Sequence, residues 1–194
     1  MNNSWDEYAE EWDGNKDAIL YSEEAFRSLS NIVTLEGSYI LDFGCGTGLL
    51  TEKLAPLAKG IIALDASPQM ISILDDKKLP NVTTISEPLS ESVIRENKLL
   101  QNRFDLIVAS SVCGFLPDYD STLFLLNSLL VQGGMFVQWD WLSPEENSDF
   151  GLSKAHVEEA FIKADLSIIS ITQPFSLTSS KGTMPVLMGV ARKA

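Results

Sequence analysis

The sequence predicts an α/β fold in which helices cover both faces of a mostly parallel open sheet. From Ser38 onwards, short apolar runs alternate with helical segments, as in parallel strands that are joined by helical crossovers. The last two apolar runs, Leu166 to Gln173 and Met184 to Arg192, are separated by a connector too short for a helix. We therefore expect them to pair antiparallel at one edge of the sheet.

Two helices are predicted before this alternation begins. Trp5, Tyr8, Ala9 and Trp12 recur at helical spacing and give a short acidic helix one apolar, aromatic face. A second helix is predicted from Glu23 to Val33. The aromatic face suits either the buried side of a docked helix or the inner side of a lid, and its spacing favours neither.

Five strands come next along the chain. They are predicted at 39–43, 60–65, 82–85, 104–110 and 135–141. Ser67 and Pro68 begin the helix after the second strand, with Ser as N-cap and Pro at the first helical position. Another helix follows a glycine-rich turn, and two more are predicted from about Ser121 to Leu130 and from Ser153 to about Ala164. A polar loop from Ser143 to Gly151 precedes the last of these.

Composition predicts one globular domain with an acidic surface. The chain has 194 residues, of which 45% are hydrophobic and 21% charged, a balance that excludes a disordered or fibrous chain. Fourteen basic residues against 27 acidic ones give a net charge of −13. Because nucleic acids and anionic membranes are bound through clustered Lys and Arg, we expect neither as a partner. The sequence does not indicate an oligomeric state.

The N-terminus and the cysteines predict a cytoplasmic protein without a metal site. Residues 1–7 contain neither a basic region nor an apolar run, so no signal peptide is expected. No stretch approaches the roughly 18 apolar residues of a membrane-spanning helix. Cys45 and Cys113 are expected to be free thiols. With His156 as the one histidine, the chain has too few ligands for a Cys/His zinc site.

Small and acidic residues cluster where the predicted strands end, which is the edge where open α/β sheets bind ligands. Gly44, Gly46 and Gly48 follow the first strand and allow a tight turn with close backbone approach to a ligand. Asp42 precedes them, where a carboxylate is costly to bury unless a cation pairs with it. Asp65 closes the second strand, where it can accept both hydroxyls of a ribose. The other polar residues at strand ends are Glu87, Ser110 and Ser111.

The spacing of the glycines argues against a dinucleotide. The fingerprint G-x-G-x-x-G needs glycine at position 49, which is Leu49 in this chain. The chain has Asp-x-G-x-G-x-G instead, and Asp42 would repel a pyrophosphate but attract the ammonium group of an amino acid. An aminoacyl nucleoside is therefore favoured, and an NAD(P)-binding oxidoreductase is the alternative with the same fold.

Four segments resemble the class I S-adenosylmethionine-dependent methyltransferases, and among them the ubiquinone- and menaquinone-biosynthesis group of small-molecule enzymes. The segments are ILDFGCGTG (40–48), IIALDASPQM (61–70), FDLIVASS (104–111) and LLVQGGMFVQWD (129–140), with WDEYAEEWD at the start as a weaker match. The resemblance implies a Rossmann-like, seven-stranded, mostly parallel sheet with an antiparallel last strand. It implies a single methyltransferase domain, 1–194, in which 1–36 forms N-terminal helices and a possible lid and 37–194 forms the cofactor-binding core.

The resemblance also implies a binding site for S-adenosylmethionine. Asp42 and the glycine turn would hold the methionine moiety, Asp65 would bind the ribose, and Ala66 and Met70 would lie beside the adenine. Trp12 stands where an aromatic residue often covers the cofactor. The full set of expected cofactor-binding residues is Trp12, Asp42, Gly44, Cys45, Gly46, Gly48, Asp65, Ala66, Met70, Glu87, Pro88, Ser110 and Ser111.

Two of these residues depart from the family pattern. Glu87 stands where the family usually has Asp against the adenine amino group, and Pro88 replaces the usual Ala. Other polar or aromatic residues are expected outside the cofactor site: Asp105 as a structural carboxylate, and Trp139 and Trp141 as an acceptor wall or core.

The predicted function is transfer of a methyl group from S-adenosylmethionine to an unidentified small-molecule acceptor. In-line displacement needs alignment and exclusion of water more than acid–base catalysis. No general base is evident, since His156 is expected at the surface. A second alternative is a non-catalytic subunit that binds S-adenosylmethionine and acts through a partner.

Overall fold

The computed structural model describes residues 4–101, 104–143, 151–179 and 182–194, and within them seven strands form one sheet. The strand order is β3-β2-β1-β4-β5-β7-β6. The strands are β1 (Tyr39–Phe43), β2 (Gly60–Asp65), β3 (Val82–Ser86), β4 (Phe104–Ser110), β5 (Leu130–Trp141), β6 (Leu166–Ser179) and β7 (Gly182–Lys193). Strands β1 to β5 pair in parallel, whereas β7 pairs antiparallel with both β5 and β6. The predicted sheet with its antiparallel last strand is confirmed.

Five of the seven helices in the described ranges begin at a residue whose side chain caps them. They are α1 (Ala9–Trp12), α2 (Lys16–Ser30), α3 (Leu49–Leu54), α4 (Pro68–Asp76), α5 (Glu91–Glu96), α6 (Tyr119–Leu129) and α7 (Lys154–Lys163), with 3-10 segments at Ser4–Tyr8, Lys98–Leu100 and Cys113–Phe115. The Ser67 side chain caps α4 by accepting a hydrogen bond from the Met70 N–H, as predicted. Asn15 caps α2 through the N–H groups of Asp17 and Ala18. Within the described ranges, no helix is both long and apolar enough to cross a membrane.

Helices cover both faces of the sheet. On one face, α2 and α3 pack over Ile40, Ile61 and Trp139, and α4 packs beside them over Ala63. On the other face, α6 and α7 pack over Phe136 and its neighbours, with α5 at the edge of the same cluster. Burial of these two layers is the main favourable contribution to folding, and it leaves the carboxyl ends of the strands free for a site.

Several elements extend further than the sequence indicated. Helix α2 begins at Lys16 rather than Glu23, because the Asn15 cap supports a polar first turn. Strand β5 begins at Leu130 rather than Met135. Gly133 and Gly134, which were interpreted as the end of a helix, lie inside this strand, beside a register shift in the pairing of β4 with β5.

The final hairpin is also longer than expected. Strands β6 and β7 continue into the polar Ser/Thr segment, where the hydroxyls of Thr178 and Thr183 form a cross-strand hydrogen bond.

Helix α5 was not predicted, because its segment carries two exposed acids and buries no residue fully. The predicted polar loop from Ser143 to Gly151 lies, for residues 144–150, outside the described residues.

Candidate functional site

The parallel register brings the turn after β1 between the ends of β2 and β4. Phe43, the last residue of β1, pairs with Leu64 on one side and with Ala109 on the other. Leu64 in turn pairs with Ile85 of β3. The segments that follow β1, β2, β3 and β4 therefore share one edge of the sheet, and these segments contain most of the predicted site residues.

The three glycines of the turn have different roles. Their φ angles are +69° (Gly44), +54° (Gly46) and +88° (Gly48), so each adopts a left-handed conformation that favours glycine. A Cβ on Gly44 would lie 2.4 Å from Val112 Cγ2, and one on Gly48 would lie 2.4 Å from Leu74 Cδ1. Those two glycines permit close packing of the turn against its surroundings.

Gly46 faces more open space. A Cβ at this position would come no closer than 3.9 Å to the sulfur of Met70 and to the indole nitrogen of Trp12. Trp12 and Met70 therefore stand on either side of the exposed part of the turn, where a ligand can approach the backbone. Cys45, within the turn, is a buried free thiol.

Asp42 is a buried carboxylate that no cation neutralises. It is 1% exposed, and its Oδ2 accepts a hydrogen bond of 2.6 Å from the Thr51 hydroxyl. Among the described residues, no Lys, Arg or His forms an ion pair with it. Burial raises the pKa of Asp42 to about 7, and the nearby charge of Asp65 adds to the rise while Thr51 opposes it. A ligand ammonium would supply the missing positive charge.

Asp65 connects the glycine turn to the start of α4. Its Oδ2 accepts a hydrogen bond from the Gly46 N–H at 2.9 Å, and its Oδ1 accepts one from the Ser67 N–H at 2.8 Å. Burial raises the pKa of this carboxyl group above its usual value, and the backbone donors oppose that rise. A carboxylate has about four acceptor sites, so besides the backbone N–H groups of Gly46, Ser67 and Ala66 the group can also accept from a ribose.

The residues expected beside an adenine lie next to Asp65. Ser86, the last residue of β3, pairs with Asp65, so Glu87 and Pro88 follow at the same edge. Both are exposed, as is Ala66, whereas Met70 is buried. The structure brings these predicted residues to one surface and shows Glu87 in solvent.

The end of β4 turns towards the glycines. Ser111 has a φ of +58°, which is rare for a residue with a side chain, and its N–H donates to the Trp139 carbonyl at 2.7 Å. This bend places the next residue, Val112, against Gly44. Ser110 and Ser111 are half-buried at this edge.

The N-terminal segment lies over this edge of the sheet. The Trp5 ring contacts Trp12 at a centroid distance of 5.9 Å and Phe115 at 5.3 Å, both edge to face. Trp12 itself stands against Gly46. Trp5 and Trp12 of the aromatic stripe therefore reach from the glycine turn to the loop after β4, whereas Tyr8 is exposed. We call Ser4–Asp13 the N-terminal cover.

Two carboxylates attach the N-terminal cover to the core. Asp6 bonds to the hydroxyl of Ser67. Asp13 bonds to the hydroxyl of Thr47, inside the glycine turn, and forms an ion pair of 2.8 Å with Lys77. Sequence reasoning missed both, because an acid in an acidic helix looks like ordinary solvated charge.

A buried polar network at the end of β5 was also missed. The Asp140 carboxylate accepts hydrogen bonds from the Gly114 N–H at 2.8 Å and from the Gln138 amide at 3.1 Å. Gln138 accepts a bond of 2.6 Å from the Tyr119 hydroxyl. Burial raises the pKa of Asp140 to about 7. The alternation of β5 could have indicated an inward Asp at this position, but not its partners.

The structure also shows where the remaining residues that the sequence analysis named are placed. Asp105 accepts a bond of 2.9 Å from the Tyr39 N–H, as a structural carboxylate should. Trp139 is fully buried and donates to the Ser28 hydroxyl at 2.9 Å, so it belongs to the core, whereas Trp141 is half-buried. His156 lies at the surface, 3.7 Å from Asp120. Among the residues that the structure covers, no group of three or more His, Cys, Asp or Glu side chains is arranged to hold a metal ion.

This donor set fits an aminoacyl nucleoside. The buried anion of Asp42 calls for a cation, the turn exposes backbone at Gly46, and Asp65 offers acceptor oxygens one strand away. The negative charge of Asp42 would repel a pyrophosphate, and none of the described Lys or Arg residues pairs with Asp42 to offset that repulsion.

Comparison with known proteins supports this interpretation. Residues 41–136 match the model of a family described as a methyltransferase domain. An uncharacterised methyltransferase of Schizosaccharomyces pombe is 28% identical over 122 residues, covering 60% of this chain and 43% of that protein. The ribosomal RNA small subunit methyltransferase A of Staphylococcus aureus is 30% identical over 152 residues, or 75% of this chain and 47% of that protein. The chain thus spans less than half the length of these relatives.

Solved structures share the fold. A SAM-dependent methyltransferase from Aquifex aeolicus superposes with a TM-score of 0.74 at 16% identity, covering 93% of this chain and 94% of that one. A chain of the Haloferax volcanii complex between the Trm112 methyltransferase activator and a methyltransferase gives 0.74 at 17% identity, covering 98% and 99%. The sheet order and the glycine turn agree with the fold of these solved methyltransferases, and residues 41–136 of the chain match a methyltransferase domain.

Proposed function

We propose that the protein transfers the methyl group of S-adenosylmethionine to a small-molecule acceptor. The observation that carries the proposal is Asp42, a carboxylate that is 1% exposed, has no cationic partner among the described residues and stands directly before a turn of three left-handed glycines. A zwitterionic amino-acid group neutralises this carboxylate and fits against the exposed backbone of the turn.

In this proposal each strand end binds one part of the cofactor. Asp42 receives the ammonium group, and the turn around Cys45 and Gly46 receives the rest of the methionine moiety. Asp65 accepts the ribose hydroxyls while it keeps its bond to the Gly46 N–H. Ala66, Met70, Glu87 and Pro88 surround the adenine, and Ser110 and Ser111 line the side of β4.

The chain's contribution to the reaction is alignment and exclusion of water. When bound, S-adenosylmethionine supplies an electrophilic methyl group that needs no further activation. The N-terminal cover, attached through Asp6 and Asp13, shields the glycine turn from solvent. A dry, fixed site favours in-line attack because the acceptor and the methyl carbon are held in one geometry.

The charge of the chain supports a small acceptor. One relative is named as a ribosomal RNA methyltransferase, and an RNA acceptor is the second candidate on that ground. Binding RNA requires Lys and Arg against phosphates, yet the chain carries 14 basic and 27 acidic residues. Seven of the 13 excess negative charges fall in residues 1–36, which include the N-terminal cover and α2, since this range has nine acidic and two basic residues.

Calorimetry tests the proposal. Titration of the folded protein with S-adenosylmethionine, S-adenosylhomocysteine and NADH should show binding of the first two and none of the third. Binding of NADH alone would favour an oxidoreductase instead. Folded protein that binds neither adenosyl compound would refute the proposal. Cofactor binding without transfer to any acceptor, together with a copurifying partner, would point to a non-catalytic subunit.

A further inference from the structure

One buried hydroxyl group beside the site has no partner. Tyr21 lies on α2 and is 5% exposed, and its hydroxyl oxygen forms no hydrogen bond with any described residue. Buried hydroxyl groups are nearly always satisfied, so each exception calls for an explanation. Burial raises the pKa of Tyr21 well above its usual value, and the neighbouring Asp140 and Cys113 add to the rise. The hydroxyl therefore stays protonated and available as a donor.

Tyr21 is next to the edge of the sheet at which the proposed cofactor site lies. The Asp140 charge raises the pKa of Tyr21, whereas the Ser111 side chain lies near enough to the hydroxyl to lower that pKa without forming a hydrogen bond of normal geometry. Ser111 immediately precedes Val112, which packs against Gly44 of the glycine turn. A short path of contacts thus leads from the proposed methionine site to the Tyr21 hydroxyl.

Two aromatic rings form a wall together with the ring of Tyr21. The Tyr21 ring contacts Trp141 at a centroid distance of 5.2 Å and Phe175 at 5.5 Å, both near edge to face. Trp141 and Phe175 pair with the same residue, Val186, from opposite sides. Both are half-buried, so the wall borders the surface of the sheet edge.

This wall selects a flat, largely apolar molecule. Rings pack on rings through dispersion and quadrupole contacts, and a neutral phenol is best matched by a neutral polar group, because a buried charge would be left uncompensated. The two oxygens of Asp140 already accept bonds from Gly114 and Gln138. The Tyr21 hydroxyl, which bonds to no described residue, is the hydrogen-bond donor that remains unused at this position.

We infer that the Tyr21 hydroxyl positions the methyl acceptor, and that the acceptor is a ring-bearing small molecule with a hydroxyl group held against the wall of Tyr21, Trp141 and Phe175. The inference rests on the proposed function. In the transfer, the acceptor oxygen forms a bond to the methyl carbon as the carbon–sulfur bond breaks. The electron pair of that bond remains on sulfur, and the hydroxyl proton passes to water. Tyr21 is a positioning residue that holds the acceptor oxygen in line.

The test uses p-cresol and toluene, which differ in one hydroxyl group, as probes of protein loaded with S-adenosylhomocysteine. NMR titration should show p-cresol binding about fivefold more tightly than toluene, the value of one net hydrogen bond. In Tyr21→Phe that preference should disappear, while the affinity for toluene and for S-adenosylhomocysteine is unchanged. The Tm should stay equal or rise, because the variant removes an unsatisfied buried group.

Tyr39→Phe is the matched control, because Tyr39 begins β1 at the opposite end of the sheet and its ring packs under Lys59. It should keep the preference for p-cresol. The inference is wrong if neither probe binds the loaded protein, if p-cresol binds no more tightly than toluene, or if the preference survives in Tyr21→Phe. Failure of S-adenosylhomocysteine itself to bind would instead refute the proposed function.

Discussion

The carboxylate of Asp65 holds the backbone N–H of Gly46 at 2.9 Å, across the gap between the ends of β2 and β1. Its second oxygen holds the N–H of Ser67, at the start of α4. The glycine turn and the proposed ribose acceptor are therefore connected before any ligand is present. Such preorganisation reduces the ordering cost of binding.

Asp65→Asn should weaken binding of S-adenosylhomocysteine at least about tenfold, since the charge-assisted hydrogen bonds to the ribose and to the turn are lost or reduced. Calorimetry at constant pH measures the change. Glu91→Gln is the comparison, because Glu91 is exposed on α5, outside the proposed site, and its substitution should change affinity by less than about threefold. Equal losses in both variants would contradict the assigned roles.

Alanine substitutions should distinguish the packing role of Gly44 from the proposed ligand-binding role of Gly46. Gly44→Ala should destabilise the fold, because its Cβ would meet Val112 at 2.4 Å and its φ is positive. Gly46→Ala carries the cost of a positive φ, about 1–2 kcal/mol, but meets nothing closer than 3.9 Å. We expect Gly46→Ala to fold and to lose cofactor affinity, because its methyl occupies the ligand side of the turn.

Thermal unfolding and calorimetry on both variants check this. Gly37→Ala is a control for the conformational cost alone, as its φ is +75° and a Cβ there has open space. A Gly46→Ala protein that binds S-adenosylhomocysteine as tightly as Gly37→Ala would show that ligand does not approach Gly46.

Much of the sheet could be predicted, because its strands are continuous apolar runs bounded by turn residues. Strands β1, β2 and β4 match their predicted bounds. The start of β5 was missed, since Gly133 and Gly134 indicate a helix end in sequence and become a strand irregularity only through pairing with β4. Tertiary pairing, which sequence does not show, decides such a case.

The candidate site also has features that the sequence could predict and others that only tertiary contacts decide. The placement of Asp42, Asp65 and the glycines at one edge was predictable, because the strand ends of a parallel sheet meet there. Tyr21 and Asp13 were not. Each acts through a contact with a residue more than 30 positions away in the chain, Asp13 with Thr47 and Tyr21 with Trp141, and neither has a local signature.

The attachment of the N-terminal cover should control cofactor exchange. Asp13→Asn loses the ion pair with Lys77 and weakens the bond to Thr47, so the cover should open more often. We expect S-adenosylhomocysteine to dissociate about three- to tenfold faster, the effect of about 1 kcal/mol. Stopped-flow fluorescence of Trp5 and Trp12 reports the opening.

Glu10→Gln is a suitable control. Glu10 is exposed on α1, the helix that Asp13 follows, and the substitution removes an equal charge. Its dissociation rate should match the unmodified protein. If both variants accelerate dissociation equally, then overall charge rather than the Asp13 contact governs the cover.

Asp42 should make the ligand-free protein less stable as pH rises. Its pKa is about 7 when folded and 3.8 in an ordinary setting, so between about pH 4 and pH 7 the folded state binds more protons than the unfolded state. The free energy of unfolding therefore falls with rising pH across that window and levels off above it. Asp42→Asn removes the titration, and its amide oxygen can still accept from Thr51.

The variant should accordingly be more stable than the unmodified protein at pH 8 and similar at pH 5, with each pKa unit worth at most about 1.4 kcal/mol. Denaturant unfolding at both pH values measures the difference. A variant that is less stable at pH 8 would mean that the folded protein neutralises Asp42 in some other way.

Cofactor binding should show the opposite dependence on pH. The ligand ammonium pairs with ionised Asp42, so protonation of Asp42 below about pH 7 competes with binding. Two titratable groups lie near Asp42. The charge of Asp65 raises the pKa of Asp42. Burial raises the pKa of the Cys45 thiol, so Cys45 stays neutral. Affinity should therefore rise with pH towards 7, and it should fall again as the ligand's α-amino group, with a pKa of about 8, loses its charge.

Calorimetry in buffers of different ionisation enthalpy checks the linkage. Near pH 6.5, binding of S-adenosylhomocysteine should release protons from Asp42, up to about one per ligand. Asp42→Asn should bind at least about tenfold more weakly at pH 7.5 and release none, because the amide neither pairs with the ammonium nor titrates. Asp105→Asn changes a carboxylate at the far end of β4, where it bonds to Tyr39, and should keep both the affinity and the proton release. Proton release that persists in Asp42→Asn would show that a group other than Asp42 loses a proton when the cofactor binds.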